Sequence, residues 1–132
     1  MGLDASVVFT GRIPPDQIPP FYAACDVIVD PVEDDLVGKT RLPIKLFESW
    51  AAGIPFITAD VGDRRRVMGD PPAGMLVPPG DPLALSQAIS KVIHEPELRE
   101  GLIQRSAQRA DDYTWQKIAA RMETVYAALL KN

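Results

Sequence analysis

The sequence predicts an α/β domain in which a parallel sheet is covered by helices on both faces. Strand-like and helix-like segments alternate through roughly the first 80 residues. The strand-like runs VIVD and FITA are short and apolar instead of alternating, as strands buried on both faces are. Gly and Pro mark the junctions, at Gly11, Pro31, Gly53 and Pro55. In such sheets ligands bind beyond the carboxyl ends of the strands, in loops that lead into helices. The candidate ligand loops are therefore Gly11 to Pro15, Pro31 to Pro43 and Asp60 to Arg66.

SVVFTG, Ser6 to Gly11, reads as a first buried strand ending at a turn. A brief helix follows at Ile18 to Cys25, with prolines near its start, where a missing N–H is tolerated. Asp26 to Pro31 is a second strand with β-branched residues at its centre, and VEDDLVGKTR after it reads as an acidic loop. Leu42 to Ala52 is a helix with Pro43 in its opening turn; Gly53 supplies the cap and Pro55 prevents continuation. PFITAD is a third strand, Gly62 a tight turn, Asp63 to Met68 a short helix, and GMLVPPGDP a small strand and turn. Leu85, Ile89, Val92 and Ile93 have helical spacing within Leu83 to His94, and Glu97 to Asp112 is a more polar helix. The last helix, Trp115 to Leu130, gathers Trp115, Ile118, Met122, Val125, Tyr126 and Leu129 on one broad face. Asp81 and Thr114 are the expected N-caps of the helices they precede.

The chain has 132 residues, one domain's worth, and is 46% hydrophobic and 24% charged, which suits a globular core. With 14 Lys and Arg against 18 Asp and Glu the net charge is −4, which argues against nonspecific nucleic-acid binding. The single cysteine excludes an internal disulfide, and the single histidine gives no protein-only zinc site or histidine relay. No apolar run approaches the ~20 residues that a membrane span needs.

Few residues look chemical. Glu48 lies inside the apolar pattern LPIKLFESWAAG, where a buried, unpaired carboxylate would be costly. It has three outlets: water, a basic partner, or a ligand hydroxyl. An ionised carboxylate only accepts, which suits a ribose diol that donates twice; a solvated helix face is the commoner outcome for an isolated Glu. The helix opening at Leu42, Pro43 and Ile44 presents free N–H groups, and Arg41 and Lys45 bracket it, a pattern that suits an anion. Gly11, Arg12 and Ile13 follow the first predicted strand without a G-x-G-x-x-G fingerprint, and no P-loop run is present. Arg64, Arg65 and Arg66 read either as a solvated face or as an anion-contacting loop. Cys25 reads as a small buried residue, Trp50 and Trp115 as packing anchors, and His94 has no evident role.

Five ordered segments carry a family resemblance: VVFTGRIP, FYAACDVIVDP, LPIKLFESWAAGIPFITADVG, GMLVPPGDPLALSQAI and YTWQKIAARMETVYAALL. From about Val7 to Leu130 the chain resembles the carboxyl-terminal nucleotide-sugar-binding domain of group 1 retaining glycosyltransferases. This is the glycogen-synthase-like, family 4 type with the GT-B fold. The resemblance implies a Rossmann-like three-layer domain that binds a UDP- or GDP-sugar for transfer with retention of configuration, without a cofactor or metal. It implies that Glu48 binds the ribose, that Gly11, Arg12 and Ile13 lie against the base, and that Leu42, Pro43 and Ile44, beside Lys45, approach the diphosphate. Two positions depart from the family pattern. Thr40 stands where a glutamate often meets the sugar, and GDRRR replaces the common G-G-x-x-E after the third strand.

The family domain normally opens with a strand, a glycine-rich turn and a helix whose arginine and lysine grip the diphosphate. By the resemblance, residues 1–132 are a truncated donor domain lacking that segment and the amino-terminal acceptor domain. Such a chain is expected not to transfer sugar alone, since donors and cations around the transition state and a closed cleft are both needed. The expected partners are the donor nucleotide sugar, the acceptor domain of the parent and a second copy of the chain in a homodimer, with no nucleic acid. The last helix, about 115–130, is expected to cross to the missing domain or pack on that copy. The expected location is cytoplasmic, peripheral to the membrane through the missing domain. An alternative of another class is a noncatalytic α/β interaction module that has lost the ligand, which Thr40 and the missing segment favour.

Overall fold

Three parallel strands, Ile28–Asp30 (β1), Phe56–Ala59 (β2) and Met75–Val77 (β3), form the centre of the computed structural model, which describes residues 2–3 and 5–130. Their order is β1-β2-β3, with Ile28 beside Phe56 and Ile57 beside Met75. All of β2 is buried, as a central strand with helices on both faces must be. Side chains alternate across it and build two cores. Phe56, with Ile28 and Leu76 packed against it, faces Leu46, Trp50, Val67, Met68 and Ala73. Ile57, with Val29 and Met75, faces Val77, Ala88, Val92 and Leu102.

The helices are Ile18–Ala23 (α1, entered through a 3₁₀ turn at Pro15–Gln17), Leu36–Thr40 (α2), Ile44–Ala51 (α3), Arg64–Met68 (α4), Pro82–His94 (α5), Pro96–Asp111 (α6) and Trp115–Leu129 (α7). Helices α3 and α4 cover the first core and α5 the second. Helix α6 joins the two, contributing Leu102 to the second core and Ala110 to the first. Asp81 caps α5 by accepting from the Ala84 N–H at 2.9 Å, and the Thr114 hydroxyl accepts from Lys117 N–H at 3.4 Å at the start of α7. Gly62 turns with φ +61 so close to the Lys39 carbonyl that a Cβ would collide with it, so the β2–α4 turn admits only glycine.

Five expectations are corrected. The segment Val7 to Thr10 is not a strand: it forms no backbone hydrogen bond among the described residues, and Phe9 is 94% exposed. Extended backbone becomes a strand only beside a partner, and β1 pairs on one edge only, with β2. The acidic loop contains a helix, α2, because Asp35 acts as an N-cap and accepts from the Gly38 N–H at 2.6 Å. Helix α3 starts at Ile44, so Leu42 and Pro43 precede it, with Pro43 at the N-cap in extended conformation. Cys25 lies two residues beyond the end of α1 and is exposed, and α1 itself buries none of its residues. Trp115 is 82% exposed, and α7 likewise buries none of its residues. Among the described residues no helix is long and apolar enough to cross a membrane.

Candidate functional site

The rotation of α3 about its axis decides what the site contains. Leu46, Ser49 and Trp50 face inward; Trp50 Nε1 donates to the Ala73 carbonyl at 2.7 Å and Ser49 Oγ to the Ile54 carbonyl at 2.6 Å. With that face pinned, Ile44, Glu48, Ala51 and Ala52 point outward at helical spacing. Glu48, Ala51 and Ala52 form one wall of an open groove of about 510 Å³, and Pro15, Ile18, Pro19, Tyr22 and Ala23 form the other.

Glu48 is exposed at this groove but is not bare: the Tyr22 hydroxyl donates to its Oε2 at 2.6 Å. Partial burial and then this hydrogen bond to the carboxylate push the Tyr22 phenol well above its usual range, so Tyr22 stays a protonated donor. Oε1 makes no hydrogen bond among the described residues and remains open to a donating ligand. Tyr22 was not among the residues singled out in the sequence; it and Glu48 meet across two helices, 26 residues apart, and no local spacing signals that.

One turn of α3 above Glu48, ~5 Å along the axis, lies the helix opening. No side chain caps it. Lys45 Nζ lies 2.9 Å from Asp30 Oδ1, at the carboxyl end of β1, and Arg41 Nη2 lies 3.9 Å from the same oxygen. These contacts put the start of α3 beside the carboxyl edge of the sheet. Ile44 is 73% exposed at the first helical position. The structure thus brings Arg41, Ile44, Lys45 and Glu48 onto one side of α3 and its approach. Gly11, Arg12 and Ile13 make no hydrogen bond or ion pair with them among the described residues; the chain reaches the groove wall only at Pro15.

The arginine run splits. Arg64 is wholly buried: Nη1 donates to the Gly38 carbonyl at 2.9 Å and to Val61 O at 3.2 Å, Nε to Thr58 Oγ1 at 3.2 Å, and Nη2 to Asp30 Oδ2 at 3.4 Å. A solvated face is therefore wrong for Arg64. Arg65 pairs with Asp60 and Arg66 with Asp63, which holds the Asp63 carboxyl below and both guanidiniums above their usual ranges. Both of these arginines already have local carboxylate partners. His94 Nδ1 lies 2.8 Å from the Ser90 carbonyl, one turn back on its own helix.

A second groove, of about 350 Å³, lies at the ends of all three strands between Pro31, Ala59, Val77 and Pro82. Its ionisable lining is Glu33 and Asp81, both acidic, and Asp81 is already a helix cap. An anionic ligand is better served by the α3 opening.

Residues 1–95 match the family model described as glycosyl transferases group 1. Over 90 residues, 68% of this chain, it is 34% identical to 24% of a phosphatidyl-myo-inositol mannosyltransferase of Mycobacterium leprae. A solved sucrose-phosphate synthase from Thermosynechococcus elongatus superposes with a TM-score of 0.80 at 28% identity, over 98% of this chain and 31% of that one. The C-terminal domain of a group 1 family glycosyl transferase from Francisella tularensis shares the fold, with a TM-score of 0.68 at 23% identity over 85% of this chain and 55% of that one. The chain spans 23% to 30% of the length of the curated relatives it matches.

Proposed function

The chain belongs to the group 1 glycosyl transferases, and from that premise we propose that it is the donor-binding part of such an enzyme, holding a UDP- or GDP-linked sugar for transfer with retention. The ribose diol donates to Glu48, whose Oε1 is open while Oε2 is held by Tyr22. The diphosphate lies one turn higher, against the N–H groups at Ile44 and Lys45, with the cations Lys45 and Arg41 beside it. The base extends toward the Pro15 end of the groove, on the side from which Gly11, Arg12 and Ile13 enter.

The observation that carries this reading is the stacking of an open carboxylate oxygen and a doubly cationic, uncapped helix start one turn apart on the same helix. That order of acceptor and donors matches a nucleoside diphosphate, which offers hydroxyl donors at one end and anionic acceptors at the other. Thr40 does not supply a carboxylate to the sugar; its hydroxyl donates back to the Leu36 carbonyl at 2.9 Å, within α2. Sugar recognition and the transition-state donors are assigned to the remainder of the parent enzyme.

Calorimetric titration with UDP, GDP and ADP tests the reading. We expect one of them to bind, and Glu48→Ala to weaken it at least tenfold. Absence of binding by all three refutes the ribose role and favours a noncatalytic interaction module; equal binding by the variant refutes the ribose role alone.

A further inference from the structure

Asp30 is the last residue of β1, and its side chain is only 4% exposed. A carboxylate so placed requires a partner, and it has three. Arg64 Nη2 lies on Oδ2 at 3.4 Å, while Lys45 Nζ and Arg41 Nη2 lie on Oδ1 at 2.9 and 3.9 Å. One negative charge thus faces three positive ones, more than its own neutralisation needs. The three cations are not equivalent. Arg64 is fully buried and tied to Gly38, Val61 and Thr58, so it cannot leave. Lys45 and Arg41 are about half exposed, at 45% and 55%, and have solvent on their far sides.

We infer that Asp30 and Arg64 are positioning residues for the anion-binding opening of α3. Arg64 locks the Asp30 carboxylate by its inner oxygen. The outer oxygen then gathers Lys45 and Arg41 over the helix start, against their mutual repulsion. A long lysine side chain otherwise samples many rotamers, and immobilising it on binding costs affinity. Lys45 held on Asp30 bears that cost before the ligand arrives. This inference rests on the donor reading above, in that the anion is the diphosphate of the nucleotide.

A carboxylate beside an anion site also repels the anion, an effect of the opposite sign. The sign of one substitution decides between them. Asp30→Asn keeps the shape and removes the charge. If Asp30 positions the cations, the variant binds the preferred nucleoside diphosphate about tenfold more weakly, with its nucleoside bound unchanged. If Asp30 merely competes, the variant binds the diphosphate more tightly, and the inference is overturned.

Lys45→Met supplies the control that a merely structural role would not satisfy. It is expected to cost about tenfold by itself and to shrink the loss on Asp30→Asn in the double variant to the share carried by Arg41, the more distant cation; fully additive losses overturn the inference. Inorganic pyrophosphate, titrated in parallel, should follow the same pattern without the base and ribose. Where Asp30→Asn is too unstable to titrate, Asp30→Glu keeps the charge that Arg64 needs but displaces the outer oxygen. It is expected to weaken the diphosphate equally, and unchanged affinity overturns the inference. Diphosphate binding that is sensitive to Glu48→Ala but indifferent to Asp30 sinks the positioning role alone. No diphosphate binding by the native chain sinks the donor reading and this inference together.

Discussion

Arg64→Met measures how much of the loop architecture hangs on one buried guanidinium. Methionine retains most of the stem volume and none of the donors. Lost with it are bonds to the Gly38 and Val61 carbonyls, to Thr58 Oγ1 and to Asp30 Oδ2. Breaking one side of a buried ion pair costs about 3–5 kcal/mol. Here Asp30 keeps Lys45 at 2.9 Å, so the lower end, about 3 kcal/mol, is expected. Asp30→Asn leaves the guanidinium buried with neutral acceptors only, and about 3–5 kcal/mol is expected. The double variant should lose less than the sum of the two, by about 1–3 kcal/mol, since the second change removes a group already orphaned. Urea denaturation followed by tryptophan fluorescence measures all three, because Trp50 is buried in the first core. A loss below about 1 kcal/mol for Arg64→Met, or strict additivity, refutes the argument and returns Arg64 to the solvated face that the RRR run suggests.

Two further outcomes are expected. Because burial and the Glu48 hydrogen bond raise the Tyr22 phenol in the folded state, its contribution to stability is full below the ordinary phenol value of about 10 and is lost as pH rises above it. Tyr22→Phe should therefore show a smaller drop in denaturation midpoint between pH 9 and 11 than the native chain, and equal drops would rule out the contact. We also propose that the apolar face of α7, with Met122, Val125 and Tyr126 exposed, pairs two copies of the chain. Sedimentation should then give a dimer that Met122→Glu with Val125→Glu converts to monomer, whereas a native monomer at tens of micromolar would exclude the pairing.

Much of the fold was legible in the sequence because its signals are local. Short apolar strand runs at Val27–Val29 and Phe56–Thr58, helical periodicity in α5 and α6, and caps at Asp81 and Thr114 all reappear within a residue or two. The readings that failed concern what lies next to a segment. Among the described residues, Val7 to Thr10 has the composition of a strand but pairs with no neighbour, and Trp115 has the size of an anchor but stays 82% exposed. Asp35 was the exception: its N-cap role is a local signal, submerged in an acidic run that read as a loop.

For the site, the sequence by itself determined the helix, the carboxylate Glu48 and the cations at its opening, because helical spacing places Lys45 and Glu48 one turn apart whatever surrounds them. Only the tertiary structure decided which of these groups have partners. Tyr22 reaches Glu48 across 26 residues, Arg64 reaches Asp30 across 34, and Lys45 reaches Asp30 from the next layer. Burial turned one arginine of three identical neighbours into a structural ion while the other two stayed at the surface. A carboxylate or guanidinium carries its charge in the sequence, but the cost of that charge depends on the solvent and counter-ions around it, and chain folding alone assembles those.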